Sequence, residues 1–196
     1  GGADTLATSY SLAQAVKKFG NYDIILGGRQ AIDGDTAQVG PQIAEKLGIP
    51  QVTYAEEILG IKDGKVTVRR RLEHGVETVV SPLPCVVTVN GSAAECRPRN
   101  ARRLMKYKYA VSPSEKAKLS EDDQAFVDAR PYLNIEEWSA AYVEADPEQI
   151  GLAGSPTKVK AIENVVFTAK ESRCLENNDE QIEELIKELI TNHTIG

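Results

Sequence analysis

The residues best suited to chemistry lie within residues 22–47, in a Gly-rich loop between an apolar run and an amphipathic segment. The loop offers carboxylates at Asp33 and Asp35 and a hydroxyl at Thr36. Glycines let the backbone approach a ligand closely, and a helix that follows such a loop directs its free N–H groups at a phosphate. The pattern therefore predicts a nucleotide-phosphate site, with Thr36 as the helix N-cap. The chain has no evident nucleophile–base pair or metal cluster, so bond-breaking chemistry by the protein alone is not expected.

The pattern alone leaves more than one interpretation of this loop. Neither G-x-G-x-x-G nor G-x-x-x-x-G-K-[ST] is present, so the two common nucleotide fingerprints are missing. A calcium loop is rejected because Gly34 directly follows the first acidic residue and Ala37 stands where an EF-hand needs an oxygen ligand. An ordinary strand–helix connection that binds no ligand stays open as the alternative.

The elements that must position the loop predict an α/β arrangement. Residues 24–26 are typical of a buried parallel strand, and residues 37–47 carry apolar side chains at helical spacing. Another helix is predicted over residues 4–19, with Asp4 or Thr5 as its N-cap. A helix that feeds a parallel strand in this order indicates right-handed winding.

Turn signals in the middle of the chain predict antiparallel hairpins. Asp63-Gly64 and His74-Gly75 separate runs of alternating polarity, and short strands are expected at residues 51–53 and 57–62. Residues 84–89 form a continuous apolar strand that returns to the main sheet. The predicted fold class is α/β: a doubly wound, mostly parallel sheet with an inserted antiparallel hairpin region and a C-terminal arm and helix.

The last quarter of the chain has a different pattern. Residues 146–157 are punctuated by glycine and proline and predict an extended arm, and residues 165–167 an edge strand. Residues 178–190 form a clear amphipathic helix. The predicted domains are therefore residues 1–145, an α/β nucleotide-binding domain, and residues 146–196, the arm and helix.

Charge and composition indicate which kinds of partner the protein binds. The net charge is −6, yet residues 97–108 hold six basic residues and no acidic one. A broad basic face for nucleic acid is absent, whereas a small basic patch on an acidic body predicts docking of an acidic partner protein. The three cysteines form no C-x-x-C, which favours reduced thiols and a cytoplasmic location. No apolar run approaches the roughly 20 residues of a membrane-spanning helix.

Three stretches in the same order resemble the β subunit of electron transfer flavoproteins. They are GRQAIDGDTAQVGP at residues 28–41, VRRRLEHGVETVVSPLPCVVT at residues 68–88 and GLAGSPTKV at residues 151–159. The resemblance covers about the whole chain and departs at His74, where the family prefers glycine or an acid. It also implies that the family's first βαβ unit precedes this sequence, so the chain resembles a fragment or a processed form.

The resemblance implies the cofactor and its contacts. Residues 2–9, GADTLATS, resemble a segment that approaches the flavin ring in the flavin-carrying, electron-bifurcating branch. This resemblance makes Thr5 and Thr8 candidate flavin contacts. Alternatively, Thr5 only caps its helix. FAD is the favoured cofactor and AMP, as a structural plug, the alternative. The adenylate and phosphate end is assigned to Asp33, Gly34, Asp35, Thr36, Ala37, Gln38, Val39, Gly40 and Ala44.

The resemblance also implies partners. An α subunit with its own FAD would complete a heterodimer, NADH would supply hydride, and the electrons would pass to an acyl-CoA dehydrogenase and to a low-potential acceptor such as ferredoxin or flavodoxin. A nucleotide-sensing α/β protein with no redox role is kept as a different class. It would need a basic group at a γ-phosphate, for which the loop offers only Arg29. The implied docking residues are Pro98, Arg99, Arg102, Arg103, Leu104 and Met105.

Overall fold

A computed structural model describes residues 2–160 and 174–195 and divides the chain into two compact units, Gly1–Val159 and Lys160–Gly196. The first unit contains an open sheet, helices and short 3₁₀ turns. In chain order its elements are α1 (Thr5–Phe19), β1 (Ile24–Gly28), α2 (Val39–Leu47), β2 (Gln51–Lys62), β3 (Lys65–Leu72), β4 (Gly75–Pro82), β5 (Cys85–Val89), α3 (Ala101–Lys106), α4 (Pro113–Lys116), α5 (Glu121–Asp128) and the 3₁₀ turns Pro131–Leu133 and Pro147–Gln149.

The sheet joins a parallel part to an antiparallel part, in the order β1-β5-β2-β3-β4. β5 lies between β1 and β2 and pairs in parallel with both. β3 and β4 extend the sheet as antiparallel hairpin strands beyond β2. The predicted α/β class and the antiparallel insertion are confirmed. The carboxyl ends of β1 and β5 meet at one edge, where ligands bind in open α/β sheets.

One strand prediction was wrong. Short strands were expected at residues 51–53 and 57–62, but β2 is continuous. Its register shifts between Val52 and Ala55 against β5, and again between Ala55 and Glu57 against β3. Tyr54 lies at this irregularity with φ 58°. A β-bulge lets one strand bend from a parallel neighbour to an antiparallel one, so the polar residues there do not end the strand.

The core lies on both faces of the parallel strands. β5 is buried along nearly its whole length because Val86 contacts α2 while Val87 faces the opposite side. Continuous burial is typical of a central parallel strand, as its apolar run predicts. α1 packs beside α2. The cluster away from α2 consists of Val52, Ala55, Val66, Val68, Cys85 and Val87.

Residues 146–157, predicted as an extended arm, contain the 3₁₀ turn Pro147–Gln149 and are hydrogen-bonded to the start of α1. Asp4 is the N-cap of α1, and its Oδ1 accepts a hydrogen bond from the Ala7 N–H at 3.0 Å. Its Oδ2 accepts from the Thr157 N–H at 3.1 Å, and its own N–H donates to Ser155 Oγ at 2.9 Å. Hydrogen bonds to the Asp4 carboxylate hold its pKa below its ordinary value, and the bond from the Ala7 N–H has the largest effect. The arm and the first turn of α1 therefore stabilise each other.

The second unit contains α6 (Asp179–Thr191), which confirms the predicted amphipathic helix. Asn178 caps it by accepting a hydrogen bond from the Gln181 N–H at 2.9 Å. The predicted edge strand at residues 165–167 lies outside the described residues. Within the described ranges, no helix combines the length and the apolar character that crossing a bilayer requires.

Candidate functional site

The loop between β1 and α2 borders a long cleft with a volume of about 1160 Å³. α1 lines the cleft together with β1, the loop and the first residues of α2, and Val86, Trp138 and Thr157 complete the lining. Small-molecule sites generally have volumes of about 300–1,000 Å³, so this cleft is large enough for an extended ligand. The Gly-rich loop therefore borders an open, ligand-sized space and is not covered by other parts of the protein.

The cleft brings together nearly all of the predicted nucleotide residues, although they come from two separate segments. The exception is Ala44, which is 2% exposed and packs in the core with Ile43 and Val86. Its predicted ligand contact is not supported by this position, because its side chain faces the sheet. The predicted residues that line the cleft are Thr5, Thr8, Asp33, Gly34, Asp35, Thr36, Ala37, Gln38, Val39 and Gly40.

The loop has an unusual backbone. Asp35 and Ala37 have φ values of 50° and 54°, in the left-handed region that residues with a Cβ seldom adopt. The Asp35 N–H donates to the carbonyl of Ala31 at 3.0 Å, and the Gln30 side-chain amide donates to the Asp35 carboxylate. Such conformations cost about 1–3 kcal/mol each and concentrate at ligand-binding segments. The loop is thus held in a defined shape by its own hydrogen bonds.

The predicted N-cap of α2 was wrong. The helix begins at Val39, so its N-cap is Gln38 and not Thr36. The Gln38 side chain makes no capping bond; its Oε1 instead accepts a hydrogen bond from Thr5 Oγ1 at 2.9 Å. The first N–H groups of α2 consequently receive no side-chain cap from Gln38 and point toward the cleft end of the helix. This arrangement leaves them available to an anionic ligand.

Thr5 links the two helices that form the cleft. Asp4, and not Thr5, caps α1, which removes the interpretation that the Thr5 hydroxyl only serves as a cap. Besides donating to Gln38, Thr5 Oγ1 accepts a hydrogen bond from Gln42 Nε2 at 3.4 Å. Thr8 lies about one turn further along the same wall of α1. Both threonines therefore face the cleft, as their spacing predicts.

An apolar wall was missed from the sequence. Leu12, Val16 and Phe19 continue the α1 side of the cleft, and Leu26 of β1 lies across from them in the lining. Phe19 is 71% exposed and Leu26 is 63% exposed. The helical spacing of the α1 residues was a signal, but it is the same signal that marks a core-facing stripe. The cleft thus combines a polar end at the loop with an apolar end along α1.

The predicted docking segment is exposed and follows the sheet. Its helix, α3, begins at Ala101, three residues after Pro98. Asn100 provides the N-cap by accepting a hydrogen bond from the Arg103 N–H at 3.0 Å, which explains this start. In residues 2–160 and 174–195, no cluster of three metal-binding side chains occurs. All the predicted docking residues are solvent-exposed: Pro98, Arg99, Arg102, Arg103, Leu104 and Met105.

Glu56 connects the loop after β5 to the sheet. Its side chain is only 5% exposed, and its Oε1 accepts hydrogen bonds from Arg71 Nε at 2.6 Å and from the Ser92 hydroxyl. The Ser92 hydroxyl, and then the Arg71 guanidinium, hold the pKa of Glu56 below its ordinary value of 4.5. Because Ser92 leads toward the docking segment, this carboxylate fixes where that segment leaves the sheet.

We expect Glu56→Gln to lower the free energy of unfolding at neutral pH and to have little effect in acid. A lowered pKa means that the charged carboxylate stabilises the fold above pH 4.5, and that this contribution disappears as the pH falls through the lowered pKa. Urea unfolding of both proteins at neutral pH and well below pH 4.5 measures the difference. Glu57→Gln, at an exposed neighbouring carboxylate, is the control. Equal losses at both pH values would contradict the assignment.

Comparison with known proteins extends these observations. The electron transfer flavoprotein domain matches residues 1–114. The chain is 45% identical over 168 residues to electron transfer flavoprotein subunit beta of Megasphaera elsdenii, covering 83% of this chain and 53% of that protein. It is 37% identical over 196 residues to Protein FixA of Rhizobium meliloti (strain 1021), covering 96% and 59%. It is 40% identical over 159 residues to caffeyl-CoA reductase-Etf complex subunit CarD of Acetobacterium woodii, covering 81% and 52%.

The matched domain contains α1, the loop and the docking segment. The chain spans between about half and three fifths of the length of these relatives. The family domain accounts for more than half of the chain, and the identities are well above those of chance similarity. The chain therefore belongs to the electron transfer flavoprotein family and is similar to its β subunits.

Proposed function

We propose that the protein carries electrons as the β subunit of a heterodimer and holds a nucleotide cofactor in the cleft. The observation that carries this proposal is the juxtaposition of Thr5 and Thr8 with the β1–α2 loop around the uncapped start of α2. Family membership supplies the redox role, since the described residues contain no metal cluster for independent chemistry. An electron carrier needs a bound cofactor and a docking surface, and the chain offers candidates for both.

The residues around the cleft fit FAD better than AMP. Phosphate groups match the N–H groups at the start of α2, and the carboxylates of Asp33 and Asp35 can accept hydrogen bonds from ribose hydroxyls. The apolar wall that includes Phe19 suits a flat ring, with the hydroxyls of Thr5 and Thr8 near its polar edge. AMP would occupy the loop end and leave this wall uncovered. When bound, FAD accepts a hydride and releases its electrons singly.

In this proposal the protein is the bifurcating type of β subunit. NADH supplies hydride, an α subunit contributes a second FAD, and an acyl-CoA dehydrogenase and a low-potential acceptor such as ferredoxin or flavodoxin receive the electrons. The name of the Acetobacterium relative places that protein in a complex with a CoA-ester reductase. This supports a partner enzyme that acts on CoA esters. A cytoplasmic location is part of the same proposal.

The cofactor content of the purified complex tests the proposal. The full-length protein is purified with its α subunit, and the nucleotides are released by acid and quantified by chromatography and absorbance. We expect about two FAD per heterodimer, one in each subunit. One FAD and one AMP would instead favour a non-bifurcating complex with AMP as a structural ligand. Absence of flavin together with tight ATP binding would overturn the proposal in favour of a nucleotide sensor.

We expect Arg102→Glu combined with Arg103→Glu to slow electron transfer to the dehydrogenase. Both residues are exposed on α3 and form no ion pair within the described residues, so they contribute uncompensated positive charge. Reversal should reduce the association rate by about tenfold at low salt, because complementary charges steer docking. Stopped-flow transfer measured at several salt concentrations checks the rate.

The flavin absorbance of the double variant should be unchanged, since α3 does not line the cleft. Lys17→Glu, which reverses a single exposed charge on α1, is the control for a general change in net charge. A transfer rate equal to that of the unmodified complex would refute the docking role of these arginines.

A further inference from the structure

A second cavity, with a volume of about 420 Å³, lies beside the nucleotide loop. Its lining contains two arginines and no carboxylate. Arg29 and Ala37 line both this cavity and the cleft, so the two spaces are neighbours. We call this cavity the arginine pocket; its wall includes Arg29, Ala37, Thr53, Tyr54, Arg70 and Thr88.

The guanidinium of Arg70 is held in a fixed orientation. Its Nη2 donates to Thr53 Oγ1 at 2.9 Å, and its Nη1 pairs with Glu77 Oε1 at 3.2 Å. Its Nε is buried and has no hydrogen-bond partner among the described residues. A buried donor without an acceptor costs about 1–3 kcal/mol, so a ligand oxygen that reached this Nε would remove that cost.

Arg29 adds a second positive charge. Its Cζ lies 5.9 Å from the ring centroid of Tyr54, and it forms no ion pair in the part of the chain that the structure describes. Tyr54 has φ 58°, and its N–H donates to Thr88 Oγ1 at 3.3 Å. This strained backbone places the Tyr54 ring beside Arg29. Conformational strain of this kind is common at β-bulges and at functional segments. The Arg70 charge is thus paired with Glu77, which lies outside the lining, whereas the Arg29 charge in the pocket wall has no carboxylate partner among the described residues.

We propose that the arginine pocket binds the phosphate group of a small molecule whose body lies against Tyr54. Arginine forks match the planar pairs of oxygens that phosphate presents, and they bind it more directionally than lysine does. The cavity is larger than one phosphate, which leaves room for an attached organic group. The phosphate belongs either to the nucleotide of the neighbouring cleft or to a separate molecule.

Calorimetric titration of the full chain with inorganic phosphate, at constant ionic strength, tests the pocket. We expect saturable binding that Arg29→Gln and Arg70→Gln each weaken by about tenfold, the loss of one charge-assisted contact. Arg69→Gln, which changes the adjacent arginine outside the pocket, should leave the affinity unchanged. Arg29 is exposed, so its variant reports on binding even where the Arg70 variant fails to fold.

A second titration, in saturating AMP, identifies the source of the phosphate. Loss of phosphate binding would assign the pocket to the phosphate of the nucleotide, and retained binding would assign it to a separate molecule. Absence of saturable binding, or equal weakening in Arg69→Gln, would overturn the proposal. The first titration uses protein freed of bound nucleotide, so its outcome does not depend on which nucleotide the cleft prefers.

Discussion

Gly40→Ala is expected to lower the free energy of unfolding by about 1–3 kcal/mol, the usual cost of overpacking a core. A Cβ at Gly40 would lie 2.4 Å from Cγ2 of Thr88. Thr88 is 3% exposed, and its hydroxyl accepts the hydrogen bond from the Tyr54 N–H, so its side chain cannot rotate away without losing that bond. The start of α2 must therefore move away from β5.

The same displacement should weaken nucleotide binding, because the N–H groups at the start of α2 lie beside Gly40. Denaturant unfolding and titration with AMP measure the two effects separately. Gly91→Ala is the matched control, since a Cβ there meets no atom within 4 Å and its φ is not in the left-handed region. Stability and affinity equal to those of the unmodified chain would show that the helix has room for the methyl group.

Asp35→Ala and Thr36→Ala are expected to reduce the nucleotide content of the purified protein. The Asp35 carboxylate lines the cleft and is held by the Gln30 amide, so its removal deletes a fixed acceptor for a ribose hydroxyl. Alanine also tolerates the φ of 50° less well than aspartate does, which adds strain to the loop. Loss of one such contact corresponds to an affinity about tenfold lower. Released FAD and AMP are quantified after purification.

A matched control separates backbone strain from ligand contact. Asp63 has φ 51° at the turn between β2 and β3, and it does not line the cleft. Asp63→Ala therefore imposes a similar backbone cost and should leave the nucleotide content unchanged. If Asp35→Ala and Thr36→Ala retain full FAD and AMP occupancy, the loop does not bind the ligand through these side chains.

Local patterns predicted the elements whose causes are local. The apolar run at β5 and the Asp63-Gly64 turn both act over a few residues, and the structure confirms both. The predicted N-cap of α2 failed because Ala37, the residue after Thr36, has φ 54° and cannot be part of the helix. The single strand β2 was missed because a bulge and a strand end contain similar residues.

The same difference between local and long-range causes applies to the candidate site. The loop pattern assigned the acidic residues to a ligand, and the family resemblance added Thr5 and Thr8; both sets lie in the lining of one cleft. The arginine pocket was beyond sequence analysis, since Arg29 and Arg70 come from distant parts of the chain and only the sheet register brings them together. Ala44 is the one predicted contact outside the cleft lining, because a helix start near a ligand also contains residues that face the sheet.

The bonds between Asp4 and the arm have a consequence for biosynthesis. Thr157 lines the cleft and is positioned by a hydrogen bond to Asp4, 153 residues earlier in the chain. A ribosome must therefore release the arm before the wall around Thr5 is complete. We expect the cofactor to be loaded only after the arm has left the ribosome, and translation products that stop before the arm to bind it poorly.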